Sequence, residues 1–252
     1  MPFVTSCGYD IHYAVEGSGP LVILQHGLLS DAVSWKRWGF IDALKDKFCV
    51  ASVDSLGHGL SDKPAIASRY GQRPRSGDII AVIDDLGYDR AHLIGYSMGG
   101  WLAVGVAKNH RERLSSLVIG GWDIMHGVES ANPPGSDGAS HFLGLLASAR
   151  VSAPAMVDWV TPEIEPGLCA CWEALADLDG AQDAVLRVGV PTMLWSGRDD
   201  PNHEPMERFA SNGGLQFLST AGDHAGAIWR HGRETAVEIH AFLQSIREPP
   251  NS

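Results

Sequence analysis

Five short apolar runs restrict the fold of this 252-residue chain more than any other feature: "LVILQ" (21–25), "FCVASV" (48–53), "AHLI" (91–94), "LSSLVIG" (114–120) and "VPTMLWSG" (190–197). Each is nearly continuous in apolar character rather than alternating. That is the pattern of a strand buried on both faces, and such strands belong to parallel sheets covered on each side by helices. Between them, "WGFIDALKDK" (38–47), "GDIIAVIDDLG" (77–87) and "MGGWLAVGVAKNH" (98–110) carry helical spacing, the second with a glycine stop at Gly87. Strand alternating with helix calls for βαβ units with right-handed crossovers. The expected fold class is α/β, a mostly parallel, twisted sheet with helices on both faces.

The flanks extend this pattern. "YDIHYAVEGSGP" (9–20) predicts a strand ending in a Gly-Ser-Gly-Pro turn. Toward the C-terminus the order is a helix over 204–212, a strand over 214–220, a loop "AGDHAGA" over 221–227 and a closing helix over 228–246. The rhythm breaks between Trp122 and Arg187. A loop, "GVESANPPGSDGAS" (127–140), leads there into helical pieces over 141–149, 153–160 and 171–179 without a strand pattern. A structureless loop of that length is uncommon in a compact domain. The expected organisation is therefore a core of residues 1–121 and 188–252, with residues 122–187 as a helical cap inserted after the strand that follows the helix at Met98. Trp122, Trp159 and Trp172 suit either an apolar roof or ordinary packing.

Charge and composition narrow the partners. Lys and Arg number 19 against 30 Asp and Glu, a net charge of -11, which disfavours nucleic acid and anionic membrane surfaces and leaves a small molecule as the expected partner. The opening "MPFVTSCGYDIHY" has no basic segment followed by an apolar one, and no window reaches the roughly 18 apolar residues of a membrane span, so the expected location is the cytoplasm. Cys7, Cys49, Cys169 and Cys171 are too few and too irregular for a disulfide scaffold or a zinc site.

"GYSMGG" (95–100) joins the third apolar run to the helix behind it. Glycine suits backbone at positive φ or places of close approach, and Ser97 becomes the pivot of a strand-to-helix turn, where a nucleophile can be held out to substrate. Glycine fills 29 of 252 positions, so two glycines around some serine can arise by chance, and the neighbourhood has to decide. A serine nucleophile needs a base within hydrogen-bond reach and a third group that holds the base. In an open parallel sheet the loops at the carboxyl ends of the strands gather along one edge. "LWSGRDD" and "FLSTAGDH" are two such ends beyond Ser97. His203 lies too near the acids to come from a separate strand end, and His231 and His240 fall inside the expected last helix, where solvent exposure is expected. His224 remains as the base. Asp199 and Asp200 are both open as the acid. For the oxyanion, the backbone N–H of Met98 at the start of the helix offers one donor, and that of Leu28, in the loop after "LVILQ", offers the second.

Four motifs in order resemble the α/β-hydrolase superfamily over essentially the whole chain: "QHGLLSD" (25–31), "DSLGHGLSDKP" (54–64), "GYSMGG" (95–100), and "GRDD" (197–200) followed by "GDH" (222–224). The resemblance implies that Asp200, three residues after Gly197, is the acid. Two departures stand beside it: Glu204 occupies the place of a frequent proline, and Asp223 that of a small residue. The implied activity is acyl transfer in which Ser97 attacks an ester or lactone carbonyl, His224 relays the proton, Asp200 orients the imidazole, and Leu28 and Met98 hold the oxyanion. His26 would brace the oxyanion loop, and His26, Tyr96, Trp101, Trp122 and Trp159 are candidates to line the substrate pocket. Serine at the elbow departs from the dehalogenases and epoxide hydrolases of the superfamily, which carry aspartate there. Alternatives within the same fold are a C–C bond hydrolase, whose members commonly carry Asn where this chain has Tyr96, a cofactor-free perhydrolase, and a slow-turnover ligand receptor. No cofactor or metal is expected: "DDPNH" (199–203) offers too few fixed ligands, and the glycines spell neither nucleotide-binding pattern.

Overall fold

A computed structural model describes residues 2–128 and 137–246. Most of the expected 127–140 loop thus lies outside the described residues. Eight strands form one sheet: β1 (Phe3–Ser6), β2 (Tyr9–Glu16), β3 (Leu21–Gln25), β4 (Cys49–Val53), β5 (Ala91–Tyr96), β6 (Leu114–Gly120), β7 (Thr192–Gly197) and β8 (Gln216–Thr220), in the order β1-β2-β4-β3-β5-β6-β7-β8. β1 and β2 pair antiparallel with their neighbours, and every pairing from β4 through β8 is parallel. All residues of β3, β4, β5 and β7 are buried, as their unbroken apolar runs require. The edge strands β1 and β8 are only partly so.

Alternate residues of these strands feed two apolar layers, because successive side chains leave a strand on opposite faces. Ile23, Ala51, Leu93 and Leu117 join α3 (Gln72–Asp85), α4 (Met98–Asn109) and α9 (His203–Gly213) on one face. Leu24, Val50, Ile94 and Val118 join α2 (Phe40–Leu44) and α11 (Gly232–Ser245) on the other. Between β6 and β7 lie α5 (Gly138–Ser152), α6 (Pro154–Val157), α7 (Glu165–Ala174) and α8 (Ala181–Leu186). α5 packs on α6 and α7, whereas α8 packs on α4 and so lies in the layer that covers the sheet. Among the described residues no helix is long and apolar enough to cross a membrane.

The ends of several elements depart from the sequence expectation for local reasons. A short helix, α1 (Ser34–Arg37), precedes α2 and is separated from it by Gly39 at φ 87, a left-handed position that glycine fills without strain. The loop and closing helix expected over 221–246 are instead two helices, α10 (His224–Trp229) and α11. Asp223 starts the first of these by accepting the Gly226 N–H at 2.6 Å. Gly232 then sits where a Cβ would meet the Trp38 carbonyl oxygen at 2.8 Å. The expectation that His231 and His240 are solvent-exposed is corrected: His231 caps α11 half-buried, and His240, also half-buried, turns its ring against Phe48 at 5.9 Å.

The glycines around Ser97 serve close approach, since none of the three has positive φ. A Cβ on Gly99 would lie 1.9 Å from the Gln25 carbonyl oxygen, and one on Gly95 would lie 2.0 Å from that of Gly99. Gly77, inside α3, has nothing within 4 Å of its missing Cβ. Gly99→Ala is expected to cost at least about 2 kcal/mol in urea unfolding, because backbone cannot give way as a side chain can. Gly77→Ala should add about 0.5–1 kcal/mol by removing backbone freedom from the unfolded chain.

Burial also sets an acid limit. His92, on β5 with Nδ1 2.8 Å from Ser116 Oγ on β6, has its imidazole pushed down by burial from 6.5 to about 4. Between those values the unfolded chain binds more protons than the folded one, so stability falls as pH drops through that window. Burial lowers His26 and His58 in the same sense, and raises Asp78 in the opposite one. Stability measured at pH 7 and pH 4.5 should therefore drop by about 2 kcal/mol more in wild type than in His92→Gln.

Candidate active site

The carboxyl ends of β3, β5, β7 and β8 lie along one edge, as the pairs Gln25 with Gly95, Gly120 with Trp195 and Gly197 with Thr220 fix. The loops leaving them bring Ser97, His224 and Asp200 together. Ser97 has φ 55 and ψ -119, backbone that a side-chain-bearing residue rarely adopts, and α4 begins directly after it. Such strain persists where packing over-determines it, and the Gly95–Gly99 contacts supply that packing.

His224 Nε2 lies 3.0 Å from Ser97 Oγ, and His224 Nδ1 lies 2.8 Å from Asp200 Oδ2. The Asp200 carboxylate is buried and accepts the Asn202 N–H at 2.9 Å through its other oxygen. A carboxylate only accepts, so Nδ1 carries the imidazole proton and Nε2 is left as the acceptor for the serine hydroxyl. Asp199 is exposed and takes no part in this line; the neighbour chosen by the resemblance is the one in contact. Asp223, adjacent to His224, turns its carboxylate to the Gly226 N–H and to Arg230, 3.3 Å away.

Met98 is the first residue of α4, so its N–H has no acceptor within the helix. Facing it is the loop after β3. There Ser30 N–H donates to the Gly27 carbonyl at 3.2 Å, and Leu29 takes φ 61, a second strained residue beside Ser97. Gly27 admits the loop to this position, since its Cβ would touch Ser97 Cβ at 3.2 Å. His26 braces the loop from beneath: its Nε2 accepts the Ser55 N–H at 3.0 Å, so its Nδ1 donates to the Gly27 carbonyl at 2.8 Å, and burial pushes its pKa down. A further tie is Asp54, whose carboxylate accepts from Ala32 N–H at 2.7 Å and Leu60 N–H at 2.9 Å.

A cleft of about 1100 Å³ opens onto Ser97 and His224. Of the candidate lining residues, Tyr96 and Trp159 reach it. Three do not, and this corrects the sequence expectation. Trp101 is fully buried on α4 and donates to the Asp177 carbonyl at 2.9 Å, Trp122 is held in the core against Gly100, and His26 lies beneath its loop. Sequence reasoning missed Met156, Ile228 and Trp229, which also line the cleft. Among the described residues no group of three or more His, Cys, Asp or Glu could hold a metal ion.

Tyr96 does more than line. Its hydroxyl donates to the His224 backbone carbonyl, and its ring packs 5.3 Å from the imidazole and 4.7 Å from Trp195. The residue before the serine thus holds the backbone of the histidine. Tyr96→Phe keeps the ring and removes the tie. It should lower kcat about 5- to 10-fold with KM little changed, in steady-state kinetics on any substrate turned over through Ser97.

Comparison with known proteins follows the same lines. Residues 20–136 match a family described as alpha/beta hydrolase fold. A soluble epoxide hydrolase from a Corynebacterium species is 34% identical over 113 residues, 44% of this chain and 38% of that protein. The chain spans about two fifths or less of the length of the curated relatives it matches. The enol-lactonase of Burkholderia xenovorans superposes with a TM-score of 0.77 at 22% identity, covering 96% of this chain and all of that one. An esterase from Exiguobacterium antarcticum gives 0.75 at 22% identity, covering 96% and 98%.

Proposed function

We propose that this chain, which has the α/β-hydrolase fold, is a serine hydrolase that cleaves a carboxylic ester or lactone through an acyl-enzyme. The observation that carries the reading is the unbroken line from Ser97 Oγ through His224 to the buried carboxylate of Asp200, at 3.0 and 2.8 Å. Ser97 Oγ attacks the carbonyl carbon while His224 Nε2 takes its proton. The tetrahedral oxyanion is held by the Leu28 and Met98 N–H groups. Collapse expels the alcohol, which receives the proton from His224. A water then attacks the acyl carbon by the reverse sequence and frees the acid.

Asp200 holds the imidazole in the tautomer that can accept from serine and stabilises the imidazolium formed in each half-reaction. Serine at position 97 supports ester chemistry over epoxide opening, the activity named for the Corynebacterium relative, because the epoxide hydrolases of this superfamily carry aspartate at that position. α5, α6 and α7, with Trp159 on the cleft wall, are proposed as the cap over the site.

The test is pre-steady-state release of p-nitrophenol from uncharged acyl esters near neutral pH. Wild type should give a stoichiometric burst followed by sustained turnover, and Ser97→Ala should lose both, a fall in kcat of about 10³-fold or more. Release unaffected by Ser97→Ala would refute the reading.

A further inference from the structure

We infer that the Ser97 cleft is shaped for an uncharged ester or lactone bearing a bulky apolar group, and against small or anionic acyl donors. This rests on the serine-hydrolase reading and adds the class of substrate. Two independent features of the cleft wall carry it.

The first is an apolar rim. Val33, Leu60 and Trp229 line the cleft and remain 57%, 56% and 54% exposed. Large apolar side chains that stay this open around a concave site mark a surface meant to be covered. They stand on three separate segments: the loop before α1, the loop after β4, and α10. Deeper in, Leu28, Met156 and Ile228 continue the apolar wall toward Ser97. An acetyl group at Ser97 would leave most of a cleft of about 1100 Å³ filled with water. A long acyl chain or an apolar ring system would displace that water and cover the rim, and each methylene removed from water favours binding.

The second is the electrostatics of the same wall. The described lining carries the carboxylates of Glu16, Asp31, Asp54 and Asp158 against the permanent cations Lys36, Arg37 and Lys63. Two of those cations are engaged with carboxylates: Lys36 with Glu16 at 2.8 Å and Arg37 with Asp31 at 3.7 Å. Lys63 donates to the Gly59 and Ser61 carbonyls at 2.6 and 2.8 Å, and half-burial pushes its pKa down. An anionic acyl group would meet a wall with an excess of negative charge, on a chain of net charge -11, with Lys63, which feels the nearby carboxylates of Asp54 and Asp62, as the one permanent cation without an ion pair among the described lining residues. Repulsion of that kind lowers the encounter rate of anions and is relieved by salt.

The experiment measures kcat/KM of the full chain on p-nitrophenyl acetate, butyrate, hexanoate and octanoate, and on the p-nitrophenyl hemiester of succinic acid, with Ser97→Ala as control throughout. Expected are a rise of at least about 10-fold from acetate to octanoate, and a hemiester value at least about 10-fold below butyrate that recovers toward it in added salt. Leu60→Ser and Val33→Ser change exposed positions and should lower the octanoate-to-acetate ratio at least about 3-fold, with melting temperature read alongside. Ser97-dependent turnover that is fastest on acetate overturns this inference and leaves the serine hydrolase standing. The same holds for turnover that is fastest on the hemiester and lost in Lys63→Met. Absence of Ser97-dependent turnover on every ester overturns both.

Discussion

The backbone turn at Ser97 is the constraint on which the rest of the site depends. A serine at φ 55 between a fully buried strand and an apolar helix holds only if neighbouring backbone leaves it nowhere else to go. That confinement comes from glycines that let α4 press onto the Gln25 carbonyl and the end of β5 onto the start of α4. With the turn fixed, the Met98 N–H points out of a helix start, Gly27 can lean on the serine, and the His224 loop finds the hydroxyl at 3.0 Å. Strain at one residue thus fixes the place of the Ser97 hydroxyl, the proposed nucleophile, and the cost is spread over ordinary sheet packing.

The His224 imidazole, the proposed base, is fixed from three directions. Asp200 sets the tautomer through Nδ1, Asp223 starts α10 at the residue before His224, and Tyr96 anchors the His224 carbonyl. Because Tyr96 immediately precedes Ser97, the proposed nucleophile and base are tied to the same strand end. Preorganisation of this kind removes the need to order the groups during reaction, which is where a positioned catalytic array gains its rate.

Much of this was legible in the chain. The unbroken apolar runs could only be strands buried on both faces, and the order of Ser97, an acid pair and His224 at strand ends limited the constellation. The choice between Asp199 and Asp200 was not available from spacing alone; it needed a family resemblance, and burial of one carboxylate is what separates them. The pocket was the least legible part. Trp101 and Trp122 looked like lining because aromatic residues near a nucleophile suit either role, and only the packing of α4 and Gly100 places them in the core. Trp229 and Ile228 were hidden inside a helix expected to run unbroken to residue 246. The break falls at Arg230 and His231, and Gly232, where α11 begins, lies close against Trp38, nearly 200 residues away in the chain, a contact that no local pattern can carry.

The most direct measurement of the central claim is peptide mass spectrometry after reaction with an uncharged fluorophosphonate. Attack by an activated serine on the phosphorus, with loss of fluoride, should leave a stoichiometric adduct on the peptide containing Ser97. The adduct should fall by at least about 100-fold in rate in His224→Ala, because the hydroxyl then has no base. A folded protein that forms no adduct at Ser97, or forms it equally fast without His224, would contradict the claim that these three residues act as one nucleophilic unit.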